Sequence, residues 1–252
     1  MTMQSVPDQT PSAVLDRVSL VLDAFDGVGR LTLAQIVRHT GLPRSSAHRM
    51  LERLVSMRWL HREGRDYMLG LRLMELGSLA VHQDRLHSTA LPHLQELHRA
   101  TGFVVHLAVL EGDDLVYLEK IGGRLATAVP TRIGGRRPAH STALGKALLA
   151  YDGTPGATYE HIREHGIAYE KAESVPGFGC IAVPIGPVGS TVAAVSICGP
   201  LAHLRFDHRF GAPVRLAATA IWRSLDRNHV TPTLQRRRPV RSTAGVLQPQ
   251  VA

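Results

Sequence analysis

The sequence predicts an α+β chain of two units, on three observations. Apolar residues recur at helical spacing through the first hundred positions, and caps and glycines divide them into short helices. Past Gly102 the spacing changes to strand-length apolar runs bounded by Gly, Pro and Asp turns. Helical stretches fall between and after those runs, the arrangement of helices packed on antiparallel strands. At 252 residues, 44% hydrophobic and 20% charged, the chain has material for one large or two ordinary cores.

The first helix follows Ser12, a capping residue, with Val14, Leu15, Val18, Val21, Leu22 and Phe25 as its apolar stripe. Gly27-Val28-Gly29 ends it. Thr32-Leu33-Ala34-Gln35 is a capping box, in which the Thr32 hydroxyl and Gln35 amide satisfy each other's backbone donors. Ile36 and Val37 form the buried side of that second helix, and Gly41 closes it. Pro43 suits the first turn of a third helix, so two helices are joined through a short Gly-containing turn, a helix-turn-helix layout.

The third helix has a core stripe of Ala47, Met50, Leu51, Leu54 and Val55. Its other face carries Arg44, Ser45, His48 and Arg49, with Ser46 beside them, all near the N-terminal end. Helices that read the major groove do so from that end, and an arginine can hold guanine O6 and N7 together. Trp59–Glu63 and Tyr67–Leu69 then read as two strands around the turn Gly64-Arg65-Asp66, a hairpin "wing". Arg62 and Arg65 on it would lie over the phosphate backbone or in the minor groove. Thr32 and Gln35 are counted with these residues as DNA-contacting positions. The order of helix, capped helix, polar-faced helix and hairpin is specific as a set.

A helical pattern from Leu71 to about Gln83 reads as a self-associating connecting helix, and a second runs from His87 to Ala100. Strands are expected at Phe103–Leu110 and Leu115–Ile121 around Gly112-Asp113, then at Cys180–Ile185 and Thr191–Ile197. Helices are expected at Ser141–Tyr151, Thr158–His165 and Val214–Leu225. The boundaries are a disordered tail at 1–11, a DNA-contacting domain at 12–70, a linker at 71–86, a second domain at 87–228 and a disordered basic tail at 229–252.

The net charge of +8 favours a polyanionic partner, although Arg236, Arg237, Arg238 and Arg241 place part of it in that last tail. Two cysteines make no disulfide framework, no apolar run approaches the ~20 residues that span a bilayer, and the N-terminus lacks a signal pattern. A cytoplasmic protein with no membrane association is expected. The fourteen histidines are scattered without a ligand array, so no metal and no cofactor is expected. Gly145-Lys146 is followed by Ala147 where a phosphate loop needs Ser or Thr. Cys180 with His140 or His106 lacks an orienting third group, so no enzymatic activity is expected.

Three stretches carry a resemblance: LTLAQIVRHTGLPRSSAHRMLERL, RIGGRRPAHSTALGKALLAY and PGFGCIAVPIGPVGSTVAAVSICGP. From about Val14 to Leu225 the chain resembles the IclR family of transcriptional regulators. That resemblance implies a winged helix-turn-helix, a linker helix and a GAF-like effector-binding domain, in a homodimer or dimer of dimers on double-stranded operator DNA. It also implies an effector cavity, onto which Ala143, Leu144, Glu170, Phe178, Cys180, Ser196 and Cys198 match. A helix N-terminus after Ser141 and Thr142, a serine hydroxyl and apolar walls suit a small carboxylic acid. Cys198 stands where relatives resemble a second serine, and the segment between Tyr151 and Tyr159 is shorter than the family pattern. Repression is expected over activation. The alternatives are a ligand-binding module that acts through protein contacts, or a redox or metal sensor using Cys180 and Cys198.

Overall fold

The computed structural model describes residues 14–227. Both predicted tails, 1–11 and 229–252, and Ser12 lie outside the described residues. The chain divides between Gln83 and Asp84 into two units.

The first unit holds helices α1 (Val14–Asp23), α2 (Leu33–Thr40), α3 (Arg44–Ser56) and α4 (Leu71–Gln83), with strands β1 (Leu31–Thr32), β2 (Leu60–Glu63) and β3 (Asp66–Leu69). The capping box forms as the sequence predicts. Thr32 Oγ1 accepts from the Gln35 amide at 3.3 Å, and Gln35 Oε1 accepts from the Thr32 amide at 2.8 Å. Gly41 ends α2 in the left-handed conformation, φ +66°, which a residue with a Cβ adopts at a cost. Val21, Ile36, Ala47, Leu51, Leu60 and Tyr67 make the core. Tyr67 therefore packs rather than reaching out.

Two features depart from expectation. The stripe of α1 is only partly used, since Val14 and Leu15 stay 69% and 77% exposed. The sequence also missed β1, which pairs antiparallel with β3 to make a three-stranded sheet in the order β1-β3-β2. Two residues are too few to show a period. Replacing Thr32 by Ala should cost the first unit about 1 kcal/mol, the usual worth of an N-cap. Urea unfolding read by Trp59, with Trp222 changed to Phe, measures it, because one of the two tryptophans lies in each unit.

The second unit contains α5 (Arg85–Thr101), β4 (Val104–Glu111), β5 (Asp114–Ile121), β6 (Arg136–Pro138), α6 (Ala143–Tyr151), α7 (Ala157–His165), β7 (Ala168–Lys171), β8 (Phe178–Ile185), β9 (Ala193–Pro200) and α8 (His208–Arg227). Helix α4 ends at Gln83 and α5 begins at Arg85, within the stretch where a linker to 86 is expected. Asp84 caps α5, its carboxylate accepting from the amides of Leu86 at 2.8 Å and His87 at 3.3 Å. The last helix starts six residues before the expected Val214 and carries Pro213 inside it.

All strands of this unit form one antiparallel sheet, β6-β5-β4-β9-β8-β7. Its two faces differ in side-chain size. Leu107, Ile181, Val183, Val195 and Ile197 point to one face and pack with α5 and α8. Ala108, Ala182 and Ala194 point to the other, where such small residues admit α6 closely. His106, Cys180, Ser196 and Cys198 alternate onto that second face beyond the alanines. The cavity described below opens where the small residues give way to polar ones.

Candidate DNA-contacting face and effector cavity

On α3 the buried residues are Ala47, Leu51 and Leu54, and the helix presents Arg44, Ser45, His48 and Arg49 exposed, with Ser46 half-buried. Pro43 precedes it without a side-chain cap, so the free amides of the first turn add positive potential at the same end. Arg65 stands exposed at the hairpin turn beside Gly64, whose φ is +60°. Arg62 is tied back: it donates to Glu52 of α3 at 2.9 Å and to the Gly64 carbonyl at 3.1 Å, and lies over the Tyr67 ring. Thr32 and Gln35 spend their oxygens on the capping box. Arg44, Ser45, His48, Arg49 and Arg65 are thus the outward-facing members of the predicted set, and Arg62 joins the wing to α3.

In the second unit a cavity of about 20 Å³ lies between the sheet and α6. It is lined by five of the seven matched residues: Ala143, Leu144, Cys180, Ser196 and Cys198. Phe178 is half-buried and packs with Val104, Val129 and Cys198, outside the lining. Glu170 does not line it either. Its carboxylate, 2% exposed, accepts from the amides of Glu173 and Ser174 (2.9 Å for the latter) and from the Ser174 hydroxyl at 3.0 Å. Glu170 therefore positions the loop that brings Ser174 and Val175 to the cavity.

The expectation that Ser141 opens the helix is corrected. Ser141 closes a 3-10 turn, Ala139–Ser141, and donates to the Pro138 carbonyl at 2.8 Å. Thr142 is the cap, accepting from Gly145 at 3.0 Å. The amides of Ala143 and Leu144 remain in the first turn, where a helix has no partner of its own for them.

Sequence reading missed His106, Tyr117 and Thr131 as cavity residues. His106 on β4 is the register partner of Ser196 on β9, and its Nε2 lies 2.9 Å from the Thr131 hydroxyl. Alternation along β4 was the available signal, since His106 shares a face with Ala108 while Val105 and Leu107 share the other. Burial, followed by the nearby Lys120 ammonium, pushes the His106 imidazole down to about 3. Burial pushes the Tyr117 phenol well up, so it stays a neutral donor.

A histidine held neutral in the fold takes up its proton on unfolding. Its contribution is whole above the unfolded value near 6.5 and declines as pH falls toward the folded value. Between pH 7 and 5 it should account for about 2 kcal/mol of lost stability. Urea unfolding of the second unit read by Trp222, compared with His106→Gln, measures this. A variant that loses as much stability as the parent would refute it.

The expectation of no ligand array needs a correction on α7. His161, Glu164 and His165 stand at i, i+3 and i+4, all exposed, and their ligand atoms all lie within 4.8 Å of one another. His165 Nδ1 lies 2.9 Å from the His161 carbonyl, and the two rings are 4.0 Å apart. None of the three lines the cavity.

A helix-turn-helix with a wing, followed in the same chain by an antiparallel sheet with a small cavity beside α6, is the layout of a DNA-binding regulator. Comparison with known proteins specifies it. The sequence model "IclR helix-turn-helix domain" matches residues 14–64, and "Bacterial transcriptional regulator IclR C-terminal" matches 78–160 and 156–223. The chain belongs to the IclR family of DNA-binding transcriptional regulators. The two C-terminal stretches overlap at residues 156–160.

The chain is 32% identical to the HTH-type transcriptional regulator XynR of Escherichia coli K12 over 208 residues, 71% of this chain and 82% of that one. It is 29% identical to the HTH-type transcriptional regulator KdgR of Dickeya chrysanthemi over 245 residues, 85% and 80% of the two chains. These relatives are transcriptional regulators, not enzymes. Among solved structures it is similar to an IclR homolog from Microbacterium hydrocarbonoxydans complexed with 4-hydroxybenzoate. The TM-score is 0.74 and the identity 29%, over 85% of this chain and 100% of that one. Among the described residues no helix is long and apolar enough to cross a membrane.

Proposed function

We propose that this chain is a cytoplasmic repressor that holds a two-fold operator as a homodimer and changes its grip when a small organic acid enters the second unit. The observation that carries the effector half is the cavity itself. Ser196, Thr131, Tyr117 and the neutral His106 line it together with Ala143 and Leu144 of the first turn of α6. Amides at a helix start favour a carboxylate, and a phenol-lined wall suits an aromatic or short aliphatic body. The similar IclR homolog complexed with 4-hydroxybenzoate makes a hydroxylated aromatic acid the first to try.

About 20 Å³ admits roughly one water, so an acid enters as the walls part. The loop before β8 is suited to that, because Ala172 and Gly177 at its ends both hold positive φ. Self-association is supported by α4, where Leu71, Met74 and Leu79 stay 60%, 72% and 52% exposed. Two-fold protein symmetry would then set the spacing of the half-sites.

The test is retardation of the promoter region beside the protein's own gene, across a salt series and with or without aromatic and aliphatic acids. Retention that weakens steeply with salt, and is relieved by an acid that also raises the melting point, is the expected outcome. No retardation even at low salt would favour a module that acts through protein contacts. If the best acid binds Ser196→Ala and Cys180→Leu as well as the parent, the cavity is not its site.

A further inference from the structure

Cys180 and Cys198 are the only cysteines of the chain, and both are free. They are register partners on β8 and β9, and both line the cavity. Directly opposed residues of an antiparallel pair hold their Cα atoms about 4.5–5.5 Å apart and their Cβ atoms about as far. A disulfide spans roughly 4.4–6.8 Å between Cα atoms and 3.5–4.5 Å between Cβ atoms. The Cα spacing already fits, and the Cβ atoms need to close by about an ångström or less. Disulfides formed under such strain are the readily reduced, regulatory kind. Glu170 extends the same row, since it is the register partner of Cys180 on β7. A buried carboxylate, a half-buried thiol and a buried thiol thus lie side by side across three strands.

We propose that Cys180 and Cys198 form a reversible dithiol switch, which hydrogen peroxide converts to a cross-strand disulfide in the wall of the effector cavity. Cys180 is the first to react, being the less buried of the two. Its thiol proton leaves to hydroxide, and the sulfur attacks one peroxide oxygen. The O–O bond breaks, water departs and Cys180 becomes a sulfenic acid. The Cys198 sulfur then attacks the Cys180 sulfur, the S–O bond breaks, and the departing hydroxide takes the Cys198 proton and leaves as a second water. Two thiols and one peroxide give one disulfide and two waters, with two electrons passing from sulfur to oxygen. The narrow cavity selects hydrogen peroxide over bulky disulfides as oxidant.

The switch is slow at neutral pH. The contact with Cys198, then burial and the Glu170 charge, push the Cys180 thiol well up, and only the thiolate attacks. Oxidation should therefore accelerate as pH rises. Its consequence for effector binding rests on the cavity being the effector site; the chemical step does not.

The full chain, reduced and freed of reductant, is exposed to hydrogen peroxide, unfolded in an alkylating agent, digested and weighed. The expected result is one joined peptide pair, Cys180 to Cys198, in a chain lighter by two hydrogen atoms, restored by dithiothreitol. The rate should climb with pH, and Cys198→Ser should stop at a sulfenic acid on Cys180 that dimedone traps. Thiols that stay alkylatable, oxidation to sulfinic acid without a cross-link, or a bond between two chains would each overturn the proposal. A rate that does not rise with pH would overturn the thiolate step. Because peptide mapping needs no effector, a negative acid screen leaves this result standing, and the reverse also holds.

Discussion

Replacing Arg44 and Arg49 together by Ala should weaken specific operator binding by roughly 30- to 10⁴-fold. Each arginine that grips a guanine bidentately is worth about 1–3 kcal/mol, and every 1.4 kcal/mol is about tenfold. Both side chains are exposed on the outer face of α3. The core below is built by Ala47, Leu51 and Leu54, so the fold should change by no more than about 0.5 kcal/mol. Binding to unrelated DNA should fall far less, since phosphate contacts elsewhere persist. The measurement is retardation of operator and of random DNA at several salt concentrations, with unfolding of the first unit followed at Trp59. A folded double variant that retards the operator as the parent does would remove α3 from the reading role.

Gly145→Ala should be the most damaging single substitution of a small residue in the second unit, at about 3 kcal/mol. A Cβ built there would lie 2.0 Å from the Ala139 carbonyl oxygen and 2.4 Å from its Cα. Those atoms belong to the 3-10 turn Ala139–Ser141, which is backbone and cannot rotate away. The turn must retreat and carry Thr142 with it, so Ala143 and Leu144 would shift in the cavity wall. Loss of stability read by Trp222 should therefore come with loss of response to any acid. Gly77→Ala is the control. It lies in α4 with nothing within 4 Å of the new Cβ, so helix propensity alone should raise stability by about 1 kcal/mol. If both changes act alike, the close approach of α6 to the turn is not what Gly145 provides.

The parts of the fold read correctly from sequence are those set by local chemistry. The Thr32–Gln35 box, the Gly41 stop and the turn at Gly112-Asp113 each depend on residues a few positions apart, so they are visible in one stretch of chain. Strands β1, β6 and β7 were missed because two to four residues show no period. They exist because β3, β5 and β8 offer them a free edge. The histidine spacing on α7 is local, since His161 and His165 stand four apart in the sequence.

For the site the division is similar. The polar face of α3 follows from helical spacing, so Arg44, Ser45, His48 and Arg49 could be named in advance. The cavity is another matter, because its residues come from β4, β5, β8, β9, α6 and two loops. Family resemblance named Glu170 as a contact. Only the fold shows its carboxylate turned to the Glu173 and Ser174 amides, and His106 placed opposite Ser196.

The sequence by itself determined that this protein has a winged helix-turn-helix with its arginines outward, followed by an antiparallel α+β unit. Caps, turns and periodicity act over a few residues and need no partner. The tertiary structure alone decided which side chains meet across the sheet. Strand register set Cys180 against Cys198, buried His106 as a neutral base and gave Glu170 a loop to hold. Register is a pairing between residues far apart in the chain, fixed by how two faces of unequal size pack, and no single stretch of sequence contains it.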